Sequence, residues 1–289
     1  MNNYELKQTI FYLDNVSAGY DNVPILKGIH MVEKNIVREG IEKTGQIIAV
    51  VGRSGRGKST LFRVLTGLDK PLEGRVLVTK SKPDEPESAK EVSEGDVGFV
   101  DQKYTLFRHK TVHQIMKYAL KKSPDNHKTD AEKEKIIDEH LTQWGLIEHK
   151  DKYPCELSGG QRQRTAIIEQ LLTSKHYMIF DEPFSGLDVG NIESVKEAFK
   201  IIQSSDALNT IIFSTHDINL AVELADMIYI IGHPEGVANF SGNIITTGVC
   251  PYSTIVKKYD LKELGIAWTE FGPEHVELVK KIKADLLNS

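Results

Sequence analysis

Gly52-Arg53-Ser54-Gly55-Arg56-Gly57-Lys58-Ser59-Thr60 fits the phosphate-cradle pattern G-x-x-x-x-G-K-[ST], with Gly52, Gly57, Lys58 and Ser59 at the required positions. Before it, Ile47-Ile48-Ala49-Val50-Val51 is a short, β-branched apolar run of the kind that forms a buried parallel strand. After it, Leu61, Val64, Leu65 and Leu68 recur at helical spacing, and Gly67 is placed to end that helix. A strand, a glycine-rich turn and a helix start suit an anion. Backbone N–H groups curl round it, and the helix N-terminus adds partial positive charge. Lys58 reaches toward β and γ phosphates, and the Ser59 hydroxyl is offered to Mg²⁺.

Working outward, Ile10 to Val16 and Ile25 to Val32 read as paired strands around a Gly19-Tyr20-Asp21-Asn22 turn. Lys34 to Thr44 and Lys80 to Glu94 are polar, charged stretches expected on the surface as excursions or loops. Asp96 to Val100 is a further buried strand leading to Gln102. From there to about Arg164 the pattern is helical, with apolar stripes at Val112, Ile115, Met116, Ala119 and at Ile136, Ile137, Leu141, Trp144. His109 and His113, four apart, are spaced to share a helix face but lack a third ligand nearby. A helix starts at Leu157-Ser158-Gly159-Gly160-Gln161. Strands at His176 to Phe180, Thr210 to Ser214 and Met227 to Ile231 then alternate with helices at Val189 to Gln203 and Asp217 to Ala225. This alternation predicts an open, mostly parallel α/β sheet with ligands at the carboxyl ends of its strands.

Tyr177 to Phe180 is an apolar strand with two carboxylates, Asp181 and Glu182, at its exit. Asp181 suits Mg²⁺, a hard cation that prefers oxygen ligands and keeps several waters. A second carboxylate beside it suits polarisation of a water for attack on a γ phosphate. Ser158, Gly159 and Gly160 at a helix start form a second phosphate-type site without a lysine.

Composition sets the outer bounds. The 289 residues carry a net charge of −5, with 40% hydrophobic and 27% charged residues, as in an ordinary globular protein and without a basic field for nucleic acid. No apolar run approaches the roughly 20 residues of a membrane span. The N-terminus lacks a secretory pattern, and two cysteines, Cys155 and Cys250, make no disulfide framework, so a reducing, cytoplasmic setting is expected.

The phosphate loop, Gln102, Leu157-Ser158-Gly159-Gly160-Gln161, Asp181-Glu182-Pro183, Ser185-Gly186-Leu187-Asp188 and Ser214-Thr215-His216-Asp217 follow one another in an order that resembles the nucleotide-binding subunit of an ATP-binding-cassette (ABC) transporter, over roughly residues 10 to 250. The resemblance implies a P-loop NTPase fold with a mostly parallel sheet core, an N-terminal antiparallel β portion and an inserted helical subdomain at about 103–165. Residues 251–289 are left as a C-terminal helical tail, in which Val276, Val279, Ile282 and Leu286 share one face.

By the same resemblance, Tyr20 stacks on adenine and residues 52–60 cradle the phosphates. Ser59, Gln102 and Asp181 serve Mg²⁺. Glu182 is the catalytic base, with His216 and Gln102 beside it. Ser158, Gly159, Gly160, Gln161 and Asp188 face a second copy of the chain in a head-to-tail, ATP-bridged homodimer. Implied partners are integral membrane permease subunits, docked near Phe107 to Tyr118, and a solute-binding protein; no nucleic acid is expected. The implied place is the inner face of the cell membrane. Tyr153 to Leu157 and Ser214 to Ile231 look importer-like, nearest the nitrate, sulfonate and taurine branch. Glu169-Gln170-Leu171-Leu172 departs from the importer pattern. The alternative is a soluble ABC ATPase driving a non-transport process, whose usual second cassette or coiled-coil insert is not seen here.

Overall fold

The computed structural model describes residues 4–38, 45–79, 89–174, 176–187, 189–234, 252–266 and 271–287. In chain order the elements are β1 (Tyr4–Tyr20), β2 (Val23–Arg38), β3 (Gln46–Val51), α1 (Lys58–Leu65), β4 (Glu73–Thr79), β5 (Ala89–Glu91), β6 (Gly98–Val100), α2 (Val112–Lys122), α3 (Asp130–Gln143), α4 (Gly159–Ser174), β7 (Tyr177–Phe180), α5 (Val189–Ser205), β8 (Thr210–Thr215), α6 (Ile218–Leu224), β9 (Met227–Gly232), β10 (Thr254–Asp260) and α7 (Pro273–Leu287).

Two sheets form. The main sheet has the order β10-β9-β3-β8-β7-β6, parallel throughout except where β10 runs antiparallel to β9. The second, of order β2-β1-β4-β5, is antiparallel. This is the expected α/β class: a mostly parallel core beside an antiparallel β portion.

The main sheet is buried on both faces because successive side chains of a strand point to opposite sides. Ile47, Ala49 and Val51 of β3 join one core with Phe180, Phe213 and Ile230 and the apolar faces of α2 to α7. Ile48 and Val50 join the other, with Ile179, Ile212, α1 and the antiparallel sheet. Asp226 secures the start of β3 by accepting from the Ile47 N–H at 2.8 Å.

Helix ends follow their sequence signals. Thr111 caps α2 and Thr129 caps α3, each in a reciprocal box with the residue three places on, Gln114 or Glu132. α4 lies close to β6 where Gly98 leaves room: a Cβ there would come within 2.7 Å of the Ser174 hydroxyl. Gln170 then accepts from the Phe99 N–H, satisfying an edge-strand donor.

Several expectations are corrected. β1 and β2 are much longer than the sequence suggested, because register shifts along their pairing break the period-two pattern. β2 absorbs residues 34–38 of the supposed surface excursion; residues 39–44 lie outside the described residues. Likewise β5 lies in the stretch 80–94 that was expected to be loop, of which 80–88 lie outside the described residues. α1 ends at Leu65, so Leu68 is not part of its stripe. The tail is not wholly helical: β10 adds an edge strand to the main sheet before α7 begins. Its polar Lys257-Lys258 step hid the pattern, as charges on edge strands do. α7 buries His275, Leu278, Val279 and Ile282, which lies in the core that also holds α6, whereas Val276 is exposed. His109 precedes α2 and His113 pairs with Glu134 at 2.6 Å, so the two histidines do not form a metal pair.

Beneath the exit of β7, Phe180, Phe184, Phe199 and Phe213 pack with ring centroids 4.8–5.8 Å apart. Phe199 of α5 touches the other three, so truncating it opens a cavity under the acidic turn. Phe199→Ala is expected to cost about 3–5 kcal/mol, read as a lowered midpoint of urea unfolding.

Candidate functional site: a phosphate-loop cavity

Parallel pairing decides where the functional groups meet. Val51 of β3 is level with Thr215 of β8, Phe213 of β8 with Phe180 of β7, and Phe180 with Val100 of β6. The chain leaves all four strands at one edge, and the residues that follow are Gly52, His216, Asp181 and Asp101-Gln102. There a cavity of about 700 Å³ is lined by Ile25, Ser54, Gly55, Gly57, Lys58, Ser59, Thr60, Gln102, Asp181, Glu182, Ser185 and His216.

The loop before α1 turns through left-handed glycines, Gly55 at φ 80° and Gly57 at φ 90°. A Cβ at Gly57 would press within 2.9 Å of Leu26, so glycine is needed there for space as well as conformation. Lys58, the first residue of α1, is buried. Its ammonium donates to the Gly52 carbonyl at 2.8 Å and the Arg53 carbonyl at 3.4 Å. It also pairs with Glu182 Oε1 at 3.2 Å.

Glu182 is held from several sides. Its backbone takes φ 50°, a left-handed conformation that a non-glycine residue adopts only when its surroundings enforce it. Here the enforcing group is Ser214. Its hydroxyl accepts from the Glu182 N–H at 2.8 Å and donates to Asp181 Oδ1 at 2.7 Å. Glu182 Oε2 lies 3.0 Å from His216 Nδ1. Glu182 thus stands between the loop lysine and His216, while Asp181 keeps its second oxygen for another partner.

These residues fit a divalent cation beside phosphates. Asp181, the Ser59 hydroxyl and Gln102 line one cavity, an oxygen-rich donor set of the kind Mg²⁺ takes when phosphates and water complete its shell. A buried ammonium whose sole anionic partner in that cavity is Glu182 fits a phosphate. No cluster of three or more His, Cys, Asp or Glu side chains is placed to hold a metal among the described residues, and a site completed by phosphates requires none.

Other expected residues stand apart from this cavity. Tyr20 ends β1 with its ring half-exposed, and only Ile25 of the same hairpin lines the cavity. Arg53 is exposed and contributes its carbonyl. Arg56 turns to the ring of His233 beyond β9. Asp188 lies outside the described residues. Ser158, Gly159 and Gly160 line a separate cavity of about 510 Å³ with Lys103, Tyr104, Arg164 and Asn191. Gln161 does not line it. Instead it caps α4: its Oε1 accepts from the Ser158 N–H at 2.9 Å, and its Nε2 meets His149 Nε2 at 2.7 Å.

Two supporting residues were given no role of their own by the sequence reading. Ser214 is the next-to-last residue of β8, two places before His216, and its position there is the signal. Tyr104 accepts from Gln163 Nε2 at 2.7 Å and donates to the Pro183 carbonyl at 3.0 Å, joining α4 to the acidic turn. Burial pushes its phenol up to about 12, so it keeps its proton at neutral pH. A lone tyrosine in a loop gives no such signal.

A phosphate loop, an acidic strand exit and a serine–glycine helix start on this sheet define a P-loop nucleotide-binding fold. Residues 41–185 match the ABC transporter family. The chain is 37% identical over 189 residues to the sulfate/thiosulfate import ATP-binding protein CysA of Brucella melitensis, covering 65% of this chain and 51% of that protein. It is 34% identical over 244 residues to the Pectobacterium atrosepticum protein of the same name, covering 81% and 71%. Among solved structures it resembles cbiO1 from Clostridium perfringens, described as part of the ABC transporter complex cbiONQ. That match has a TM-score of 0.64 at 26% identity and covers 90% and 91% of the two chains. The chain belongs to the ABC transporter family. It spans about half the length of the Brucella relative. Among the described residues, no helix is long and apolar enough to cross a membrane.

Ser214→Ala removes both hydroxyl contacts while leaving a part-buried carboxylate and N–H without that partner. It is expected to lower stability by about 1–3 kcal/mol in urea unfolding; an unchanged midpoint would show that Ser214 does not hold the turn.

Proposed function

We propose that this chain is the ATP-hydrolysing subunit of a multi-subunit ABC transporter, working on uptake. The carrying observation is the convergence of Lys58, Asp181, Glu182, Gln102 and His216 on one cavity beside the phosphate loop. The word "import" in the names of the CysA relatives favours uptake.

In this reading ATP phosphates settle on the backbone N–H groups of residues 52–60 and on the Lys58 ammonium. They displace Glu182 from the lysine. Glu182 then accepts the proton of the attacking water as general base, and His216 orients the group it already touches. Mg²⁺, held by Ser59, Asp181 and Gln102, would offset charge on the phosphates. The ring of Tyr20 offers its exposed face to the adenine.

The partner arrangement is part of the same proposal. The Ser158–Gly160 cavity shares no lining residue with the phosphate-loop cavity. A helix start of that kind suits a phosphate brought by another subunit. We therefore read the working form as a head-to-tail homodimer bridged by ATP, with Asp188 and Gln161 near the junction. Integral membrane permease subunits dock on the face that carries Phe107 to Tyr118, at the inner side of the membrane, and a solute-binding protein delivers the solute.

Two substitutions test the chemistry. Lys58→Ala is expected to abolish nucleotide binding, measured by fluorescent-nucleotide titration. Glu182→Gln is expected to retain binding, slow phosphate release by about 10²–10⁴-fold and accumulate a dimer with ATP in size-exclusion chromatography. Wild-type hydrolysis by Glu182→Gln would remove Glu182 from the role of base.

A further inference from the structure

His233, the residue after β9, joins two segments that the proposed ATP chemistry leaves unconnected. Its Nδ1 lies 2.8 Å from the Tyr252 carbonyl, just before β10, and its Nε2 meets Nη1 of Arg56 in the phosphate loop. These contacts fix the state of the ring. A carbonyl only accepts, so Nδ1 carries the proton and donates it. A guanidinium only donates, so Nε2 offers its lone pair. Both contacts hold together only in a neutral imidazole.

The bridge closes a ring of contacts around the loop. Ser253 is buried and pairs with the start of β2. The Lys27 N–H donates to the Ser253 carbonyl at 3.0 Å, and the Ser253 N–H donates to the Ile25 carbonyl at 2.8 Å. Ile25 and Leu26 in turn lie against Gly57, so closely that a Cβ there would come within 3.0 and 2.9 Å of them. Lys27 also covers the Tyr252 ring, 5.6 Å from its centroid. Arg56 and Gly57 are adjacent, so the loop is held from two sides, and both holds end on residues 252–253. The Arg56 side chain is not part of the cavity lining, although Gly55, Gly57 and Lys58 beside it are. It therefore acts on a bound phosphate through the backbone, by fixing where the neighbouring N–H groups point.

We propose that His233 is a positioning residue for ATP binding: as a neutral imidazole it ties Arg56 to the Tyr252–Ser253 segment and so holds the phosphate loop in its anion-binding shape. The start of the tail thereby becomes a support of the nucleotide site. The inference deepens the ATPase reading above, on which it rests. Small displacements of a positioning group are costly in such a site. Protonation of Nε2 would replace the acceptor by a donor and set two cations side by side, so acid releases the tie. The other charged or titratable groups on residues 23–27, 52–58, 227–232 and 252–253 are Lys27, Arg53, Arg56, Lys58, Tyr229 and Tyr252. None of these is an anion at neutral pH that would retain a protonated His233.

The test uses the full chain. Fluorescent-nucleotide titration gives the Kd for ATP, and steady-state phosphate release gives KM and kcat. His233→Ala is expected to raise Kd and KM about tenfold, the scale of one charge-assisted hydrogen bond, with kcat at saturating ATP within about twofold of the parent. Arg56→Ala is expected to weaken binding to a similar degree, and the double variant no further, since both remove one contact. Independent losses would multiply to about a hundredfold. His233→Gln keeps an acceptor for Arg56 that does not titrate, and is expected to bind ATP within about twofold of the parent at about pH 8. As the pH falls to about 5.5, the parent is expected to lose affinity relative to His233→Gln; taking the ratio cancels protonation elsewhere in the site. Unchanged affinity in His233→Ala, multiplied losses in the double variant, a kcat defect with unchanged KM, or a ratio that does not move with pH would each overturn the proposal. Urea unfolding of every variant runs alongside. If His233→Ala does not fold, the pH dependence of the His233→Gln ratio decides the matter. A parent that binds and hydrolyses ATP while His233→Ala matches it refutes the tie alone, whereas a parent that binds no ATP refutes the ATPase reading.

Discussion

Parallel pairing of β3, β8, β7 and β6 is the constraint on which the site depends. Hydrogen bonding puts Val51 level with Thr215, and Phe213, Phe180 and Val100 in one row. Four chain segments distant in sequence therefore leave the sheet side by side. The exits concentrate charge, and the fold satisfies it locally. Lys58 is met by carbonyls of its own loop and by Glu182, and Asp181 and the Glu182 backbone share one serine hydroxyl.

The sheet can hold that edge because each face serves a different core. Alternate residues of the same strand pack against helices on one side and against α1 and the antiparallel sheet on the other. Phe180, Phe199 and Phe213 then fix the backbone just below the acidic pair. A left-handed Glu182 is affordable only on such a support.

α4 ties the separate parts together. Its first turn borders the Ser158–Gly160 cavity, and Gln163 reaches Tyr104 and through it the Pro183 carbonyl. Gln170 fixes the edge of β6 by accepting from the Phe99 N–H.

Local chemistry made most of the site legible. The glycines before Lys58, the carboxylates after an apolar strand and the serine–glycine helix start each carry their meaning in adjacent residues, and the α/β class follows from the alternation of strand and helix patterns. Other features needed the folded chain. β10 was hidden because an edge strand buries little and carries lysines, and the long β1–β2 hairpin because bulges scramble its period. Ser214 and Tyr104 acquire their places through contacts with residues tens of positions away. By itself the sequence determined the phosphate loop, the acidic pair and the class of fold, since those depend on spacing along the chain. Only the tertiary structure decided that Glu182 lies between Lys58 and His216 and that the Ser158–Gly160 cavity stands apart, because distances between strands and helices are set by packing rather than by neighbours in sequence.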